Sequence, residues 1–205
     1  MTKVLLTGFE PFGGELLNPS LEALGRLSAL DSVGVEVSGA VLPVVFGRAY
    51  EVLRAAIEQR RPAVVICLGE AGGRAEITPE RVAINVDDAR MADHDGARPI
   101  DVPIVAGGPA AYFSTLPIKA MVASLRAKGI PASVSQSAGT FVCNHVFYRL
   151  MHLLATEWPG VRGGFVHVPY LPAQVTGKPG TPSLGLELLL SGLSEIVRVA
   201  AANGR

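Results

Sequence analysis

Cys143 lies in the run Ser137-Ala-Gly-Thr-Phe-Val-Cys-Asn-His-Val-Phe-Tyr148, where the neighbouring residue types favour thiol chemistry. Gly139 and Thr140 interrupt the chain before it, and Val146, Phe147, Leu150 and Leu154 recur at helical spacing after it. The thiol therefore falls at or near a helix N-terminus. Unsatisfied backbone N–H groups and the positive end of the helix macrodipole favour a thiolate there. The same N–H groups can hold an oxyanion that forms beside the sulfur. A small buried side chain is the other reading of a cysteine in this position. Cys67 takes that reading, because it lies inside the apolar run Ala63–Leu68 with no base beside it.

A nucleophilic thiol needs a base, and four histidines compete for the role. His145, two residues along the same helix, points about 200° away from Cys143. His152 lies more than two turns further on, and His94 sits in an Asp-rich, solvated turn. His167 ends the strand-like run GGFVHVPY just before a Pro-rich segment. Functional side chains of open α/β sheets gather where strands end, although a hydrogen-bonded core histidine reads the same way. A third group should orient the imidazole. Glu70, Glu76, Glu80, Asp87 and Asp88 are the available carboxylates. Glu80 precedes the short run VAINV and Glu70 directly follows AVVICL, and spacing does not choose between them. The residues by themselves read as a cysteine hydrolase of undefined substrate.

The elements that must carry these groups alternate in type. Strands are expected at Lys3–Leu6, Val33–Val41, Ala63–Leu68, near Ala132–Ser135 and at Gly164–Val168. Helices are expected from Asn18-Pro19-Ser20 to about Leu30, at Ala49–Gln59, Pro117–Lys128, Cys143–Glu157 and about Pro182–Ala202. Such alternation predicts an α/β sandwich with a largely parallel sheet, built as one domain over residues 1–205. Residues 69–108 are rich in Gly, Pro, Asp and Arg, with VAINV at Val82–Val86, and read as functional loops or an excursion hairpin.

Composition narrows the function class. Hydrophobic residues make up 49% and charged residues 18%, which excludes a disordered chain. Lys plus Arg and Asp plus Glu both total 18, so no basic surface points to nucleic acid. No run approaches the roughly 20 apolar residues of a membrane span, and the opening MTKVLLTGFEPFGG lacks the plan of a signal peptide. Two cysteines make no disulfide framework, so a reducing cytoplasm is the expected compartment. TGFEPFGG after the first strand is neither GxGxxG nor GxxxxGK[ST], so nucleotide binding has little support. A redox sensor built on Cys143 alone is a further reading.

Four stretches together resemble the pyroglutamyl peptidase I family, also called pyrrolidone carboxyl peptidases. They are LTGFEPFGG with NPS within residues 6–20, GEAGGRAEITPERVAINVDDAR at 69–90, SAGTFVCNHVFY at 137–148 and FVHVPYLP at 165–172. The resemblance implies an α/β/α sandwich with a mixed, largely parallel sheet, no metal or other cofactor, and a homo-oligomer, commonly a tetramer. It implies Glu80, Cys143 and His167 as the catalytic set, so it selects Glu80 over Glu70. It also implies Arg90 as an oxyanion contact beside the Cys143 N–H, and Phe9, Phe12, Phe141 and Val142 as a ring pocket. Its substrates are peptides that begin with pyroglutamate, an uncharged and largely apolar lactam that two aromatic rings can sandwich. A free N-terminal ammonium would have to be desolvated in such a slot. Two departures stand out. Family members often carry Gln at the position of Glu70 and Thr at that of Val44, and an ionised Glu70 would oppose a nearby thiolate.

Overall fold

Continuous burial is what a strand needs when both of its faces are covered, and the apolar runs of this chain meet that need: every residue of Val64–Glu70 is buried. A computed structural model describes residues 1–27 and 34–202. Along the chain come β1 (Thr2–Phe9), α1 (Pro19–Leu27), β2 (Val35–Leu42), α2 (Arg48–Arg60), β3 (Val64–Glu70), β4 (Thr78–Pro79) and β5 (Val82–Ile84). They are followed by β6 (Ala111–Phe113), α3 (Ile118–Ala127), α4 (Val142–Thr156), β7 (Arg162–Val168) and α5 (Leu186–Ala202). The main sheet has the order β2-β1-β3-β7-β4. Its first four strands are parallel, and β4 runs antiparallel to β7. The fold is thus a mixed, largely parallel sheet between two helical layers.

The period of two in each strand separates the layers. Val64, Ile66 and Leu68 of β3, with Val4 and Leu6 of β1, pack against α1, α3 and α5. Val65, Cys67, Leu5 and Phe165 face the other way, into the core shared with α2 and α4. β5, inside the expected excursion of residues 69–108, forms a separate antiparallel pair with β6, which lies just beyond it.

Two expectations change for local reasons. The run at Ala132–Ser135 is no strand. It makes two isolated parallel bridges, Ile77 to Ala132 and Glu80 to Ser135. The ladder breaks between them because Pro79 has no N–H to donate. α5 begins at Leu186 rather than near Pro182, since the Leu184 N–H is taken by the Tyr170 carbonyl at 2.8 Å. α1 opens as expected, with the Asn18 side chain accepting from the Ser20 N–H at 3.0 Å. Its expected extension to Leu30, and Val33 as the start of the next strand, lie outside the described residues.

Candidate active site

Gly139, with φ of 78°, makes the turn that reverses the chain into α4. Phe141 is the extended N-cap residue, and Cys143 is the second residue of the helix. The first helical bond runs from the His145 N–H to the Phe141 carbonyl at 3.1 Å, which leaves the Cys143 N–H without an acceptor in the helix. α4 brings the sulfur to the end of β3. A Cβ added at Gly69 would stand 3.1 Å from Cys143 Sγ and 2.7 Å from the Phe165 ring. Glycine at that strand end therefore makes the room in which the nucleophile sits.

In the β3–β7 register Gly69 is opposite His167 and Glu70 is opposite Val168. His167 thus shares the face of Phe165, toward α4, while Glu70 belongs to the face of Leu68. The His167 ring packs on Phe165 with centroids 4.8 Å apart, and its Nδ1 bonds Glu80 Oε1 at 2.7 Å. Both side chains are buried. The Glu80 backbone is held by its N–H to the Phe165 carbonyl at 2.9 Å and by the bridge to Ser135. Glu80, His167 and Cys143 are brought together here, at the C-terminal ends of the parallel strands.

One residue escaped the reading of the sequence. Arg74 Nη1 donates to Glu80 Oε1 at 2.7 Å and to Thr78 Oγ1 at 2.6 Å, and its Nη2 reaches the Ser137 carbonyl at 3.2 Å. Its position six residues ahead of Glu80 was the only signal available.

Burial favours protonated Glu80, but the hydrogen bond and charge of His167, helped by Ser135 and Arg74, prevail and hold its carboxyl below the usual range. Burial holds the His167 imidazole below its ordinary value despite Glu80. Burial also pushes the Cys143 thiol up to about 12, reinforced by Glu80, Glu70 and Cys67 and countered by Arg74. Desolvation and the two carboxylates thus oppose the bias toward thiolate that a helix N-terminus provides.

The other candidates do not meet the imidazole of His167. Glu70 donates nothing to His167; its Oε2 accepts from Gln174 Nε2 at 2.7 Å. Burial, against the Gln174 bond, raises its carboxyl to about 7. His145 is turned away, held between Asp87 Oδ2 at 2.8 Å and the Gly47 N–H at 3.3 Å. His152 bonds Tyr112, and His94 is exposed. Cys67 is fully buried, and its thiol is pushed up to about 12 by desolvation.

Phe9, Phe12, Phe141 and Val142 line a slot that ends at Cys143, and Asn18, Val44 and Glu70 complete its walls. Only about 10 Å³ is free inside it, room for about one water. The Asn18 amide is already engaged, with Ser20 and the Glu10 carbonyl. Beside the slot opens a cleft of about 690 Å³, reached by Cys143, His167, Arg74, Arg90, Tyr170 and Lys178. Arg90 is exposed there, on a segment stapled to the turn before α4. The Asp88 N–H bonds the Thr140 carbonyl at 2.9 Å, and Thr140 Oγ1 donates to the Asp88 carbonyl at 2.8 Å. Among the described residues no group of three or more His, Cys, Asp or Glu side chains is arranged to hold a metal ion, and no helix is long and apolar enough to cross a membrane.

Comparison with known proteins places this geometry among relatives. The pyroglutamyl peptidase family profile matches residues 2–203. The pyrrolidone-carboxylate peptidase of Bacillus licheniformis is 57% identical over 199 residues, covering 97% of this chain and 90% of that protein. The pyrrolidone-carboxylate peptidase of Cupriavidus necator is 59% identical over 201 residues, covering 98% and 93%. The crystal structure of pyroglutamyl peptidase I from Bacillus amyloliquefaciens superposes with a TM-score of 0.97 at 47% identity, covering 99% of this chain and 96% of that one.

Proposed function

The chain belongs to the pyroglutamyl peptidase family, cysteine peptidases that remove pyroglutamyl residues from peptides, and we propose that it works through Cys143, His167 and Glu80 by way of a thioester. The observation that carries this reading is the buried 2.7 Å bond between His167 and Glu80 in a cleft that Cys143 also lines.

Burial raises the Cys143 thiol, and in attack on the pyroglutamyl carbonyl its proton passes to His167 as the S–C bond forms. Glu80 keeps the proton of the neutral imidazole on Nδ1, which leaves Nε2 as the base, and then stabilises the imidazolium. The Cys143 N–H and Arg90 hold the oxyanion. His167 returns the proton to the leaving amine. Water then enters, His167 acts as its base, and pyroglutamate departs.

Selectivity comes from the slot. Its walls are phenylalanine and valine, and the lactam brings no charge into them. With so little free space, the half-buried rings of Phe12 and Phe141 have to swing apart to admit the lactam. A reversible redox sensor needs an acidic thiol, and the raised pKa of Cys143 argues against that alternative. The same reading carries self-association, commonly as a tetramer, and a cytoplasmic location. Exposed Ile100, Val102 and Phe113 supply apolar surface for such contacts.

The test is hydrolysis of a fluorogenic pyroglutamyl amide beside its prolyl and glutamyl counterparts, in reductant, with and without iodoacetamide. Selective cleavage of the pyroglutamyl compound, lost on alkylation, is expected. Cleavage that survives complete alkylation would remove Cys143 from the mechanism.

A further inference from the structure

We propose that Arg74 is a positioning residue for this reaction, tying the carboxylate of Glu80 to the turn that delivers Cys143. The proposal rests on the assignment of Glu80, His167 and Cys143 given above.

One guanidinium ties two segments through three acceptors. It holds Thr78 and Glu80 through Nη1 and the Ser137 carbonyl through Nη2. Ser137 opens the turn that leads through Gly139 into α4, so the group that orients the base and the loop that presents the nucleophile share one clamp. Arginine suits this task because its planar fork fixes direction as well as charge. Glu80 is fully buried, its Oε1 accepts from both Arg74 and His167, and its Oε2 has no hydrogen-bond partner among the described residues. Without Arg74, the carboxylate would keep His167 and the smaller support of Ser135. A buried carboxylate left so exposed to its own charge would draw a proton onto the imidazole, the form that cannot act as base.

The surrounding charges sharpen the point. Glu70 from β3 and His167 from β7 share the cleft with Cys143 of α4, as do Arg74, Glu15, Asp88, Arg90 and Lys178, while Glu80 from the β4–β5 link stands behind His167 and Glu76 lines a neighbouring pocket with Arg74. Both carboxylates Glu80 and Glu70 oppose ionisation of the thiol. Arg74 favours it, and the same positive charge disfavours imidazolium on His167. Arg74 thereby works on both partners in the direction that proton transfer needs, a neutral base and a more acidic thiol. Its side chain is 31% exposed, so solvent weakens the effect without removing it.

The experiment compares Arg74→Met and Arg74→Lys with the wild type, using a fluorogenic pyroglutamyl amide. For Arg74→Met we expect kcat to fall about tenfold or more with KM little changed, the acid limb of kcat/KM to rise by about one pH unit, and iodoacetamide inactivation to slow at fixed pH. Arg74→Lys should return the acid limb toward wild type, because the charge is back. It should leave kcat low, because a point charge cannot span three acceptors. A brace with no part in the chemistry would lower thermal stability alone. An unmoved acid limb together with an unchanged alkylation rate overturns the proposal. Should Arg74→Met fail to fold, wild-type kcat in Arg74→Lys overturns the clamp by itself. His167→Ala and Glu80→Gln in the same assay separate the two levels. If they keep wild-type rates the catalytic assignment falls, and if they are inactive while Arg74→Met is unaltered only the role of Arg74 falls.

Discussion

Glu70 and His167 come from neighbouring, paired strands, one register step apart, and leave the sheet on opposite faces. His167 points toward the helix that carries Cys143 and meets Glu80, while Glu70 turns to Gln174. A one-residue offset between paired strands turns Glu70 away from the imidazole and leaves that partner to Glu80.

That difference predicts unequal mutants. Glu80→Gln should lower kcat by about two to four orders of magnitude, because the amide presents the wrong partner to the imidazole. Glu70→Gln keeps an acceptor for Gln174 and should change kcat by no more than about threefold, under 1 kcal/mol of barrier. Steady-state kinetics on both variants decide the matter, and the reverse order would exchange the roles of the two glutamates.

Glu70 also predicts a pH dependence of stability. Its folded value of about 7 stands above the ordinary 4.5. Between those values the folded chain keeps a proton that the unfolded chain has released, so stability falls as pH rises through the window. The favourable contribution is complete below about 4.5 and gone above about 7. Glu70→Gln should therefore match wild type at pH 4 and exceed it by about 1–3 kcal/mol at pH 8, measured by chemical denaturation. Equal stability at pH 8 would show that the carboxylate is not strained there.

Cys143→Ser should lose at least about a thousandfold in turnover, because serine keeps the shape and lacks the reactive sulfur. Its melting temperature should stay close to wild type, since the substitution is nearly isosteric. Any retained rate near wild type rejects the nucleophile.

Gly69→Ala probes the seat of that nucleophile. The new methyl would press on the buried Phe165 ring at 2.7 Å and on Cys143 Sγ at 3.1 Å. We expect about 1–3 kcal/mol of destabilisation from overpacking and a marked loss of kcat from a displaced sulfur. Unaltered kinetics would mean that the strand end yields freely. Thermal melts and iodoacetamide inactivation rates read the two effects separately.

Much of this was legible along the chain. The continuous apolar run AVVICL, the strand-like GGFVHV and the helical spacing after Cys143 reflect burial of two faces or one, which local sequence records directly. They gave the α/β sandwich, the helix end under Cys143 and the strand end under His167. The broken pairing at Ala132–Ser135 was not legible in that way, because it depends on which residue of a distant segment, Pro79, happens to lie opposite.

The sequence by itself determined the alternating elements, the thiol at a helix start and the family likeness that singles out Glu80, because these depend on residue type and local period. The tertiary structure alone decided the 2.7 Å contact of Glu80 with His167, that Arg74 clasps both Glu80 and the Ser137 carbonyl, and that burial raises the Cys143 thiol. The physical reason is common to all three: strand register, hydrogen bonds between segments far apart in the chain, and desolvation exist only once the chain has folded.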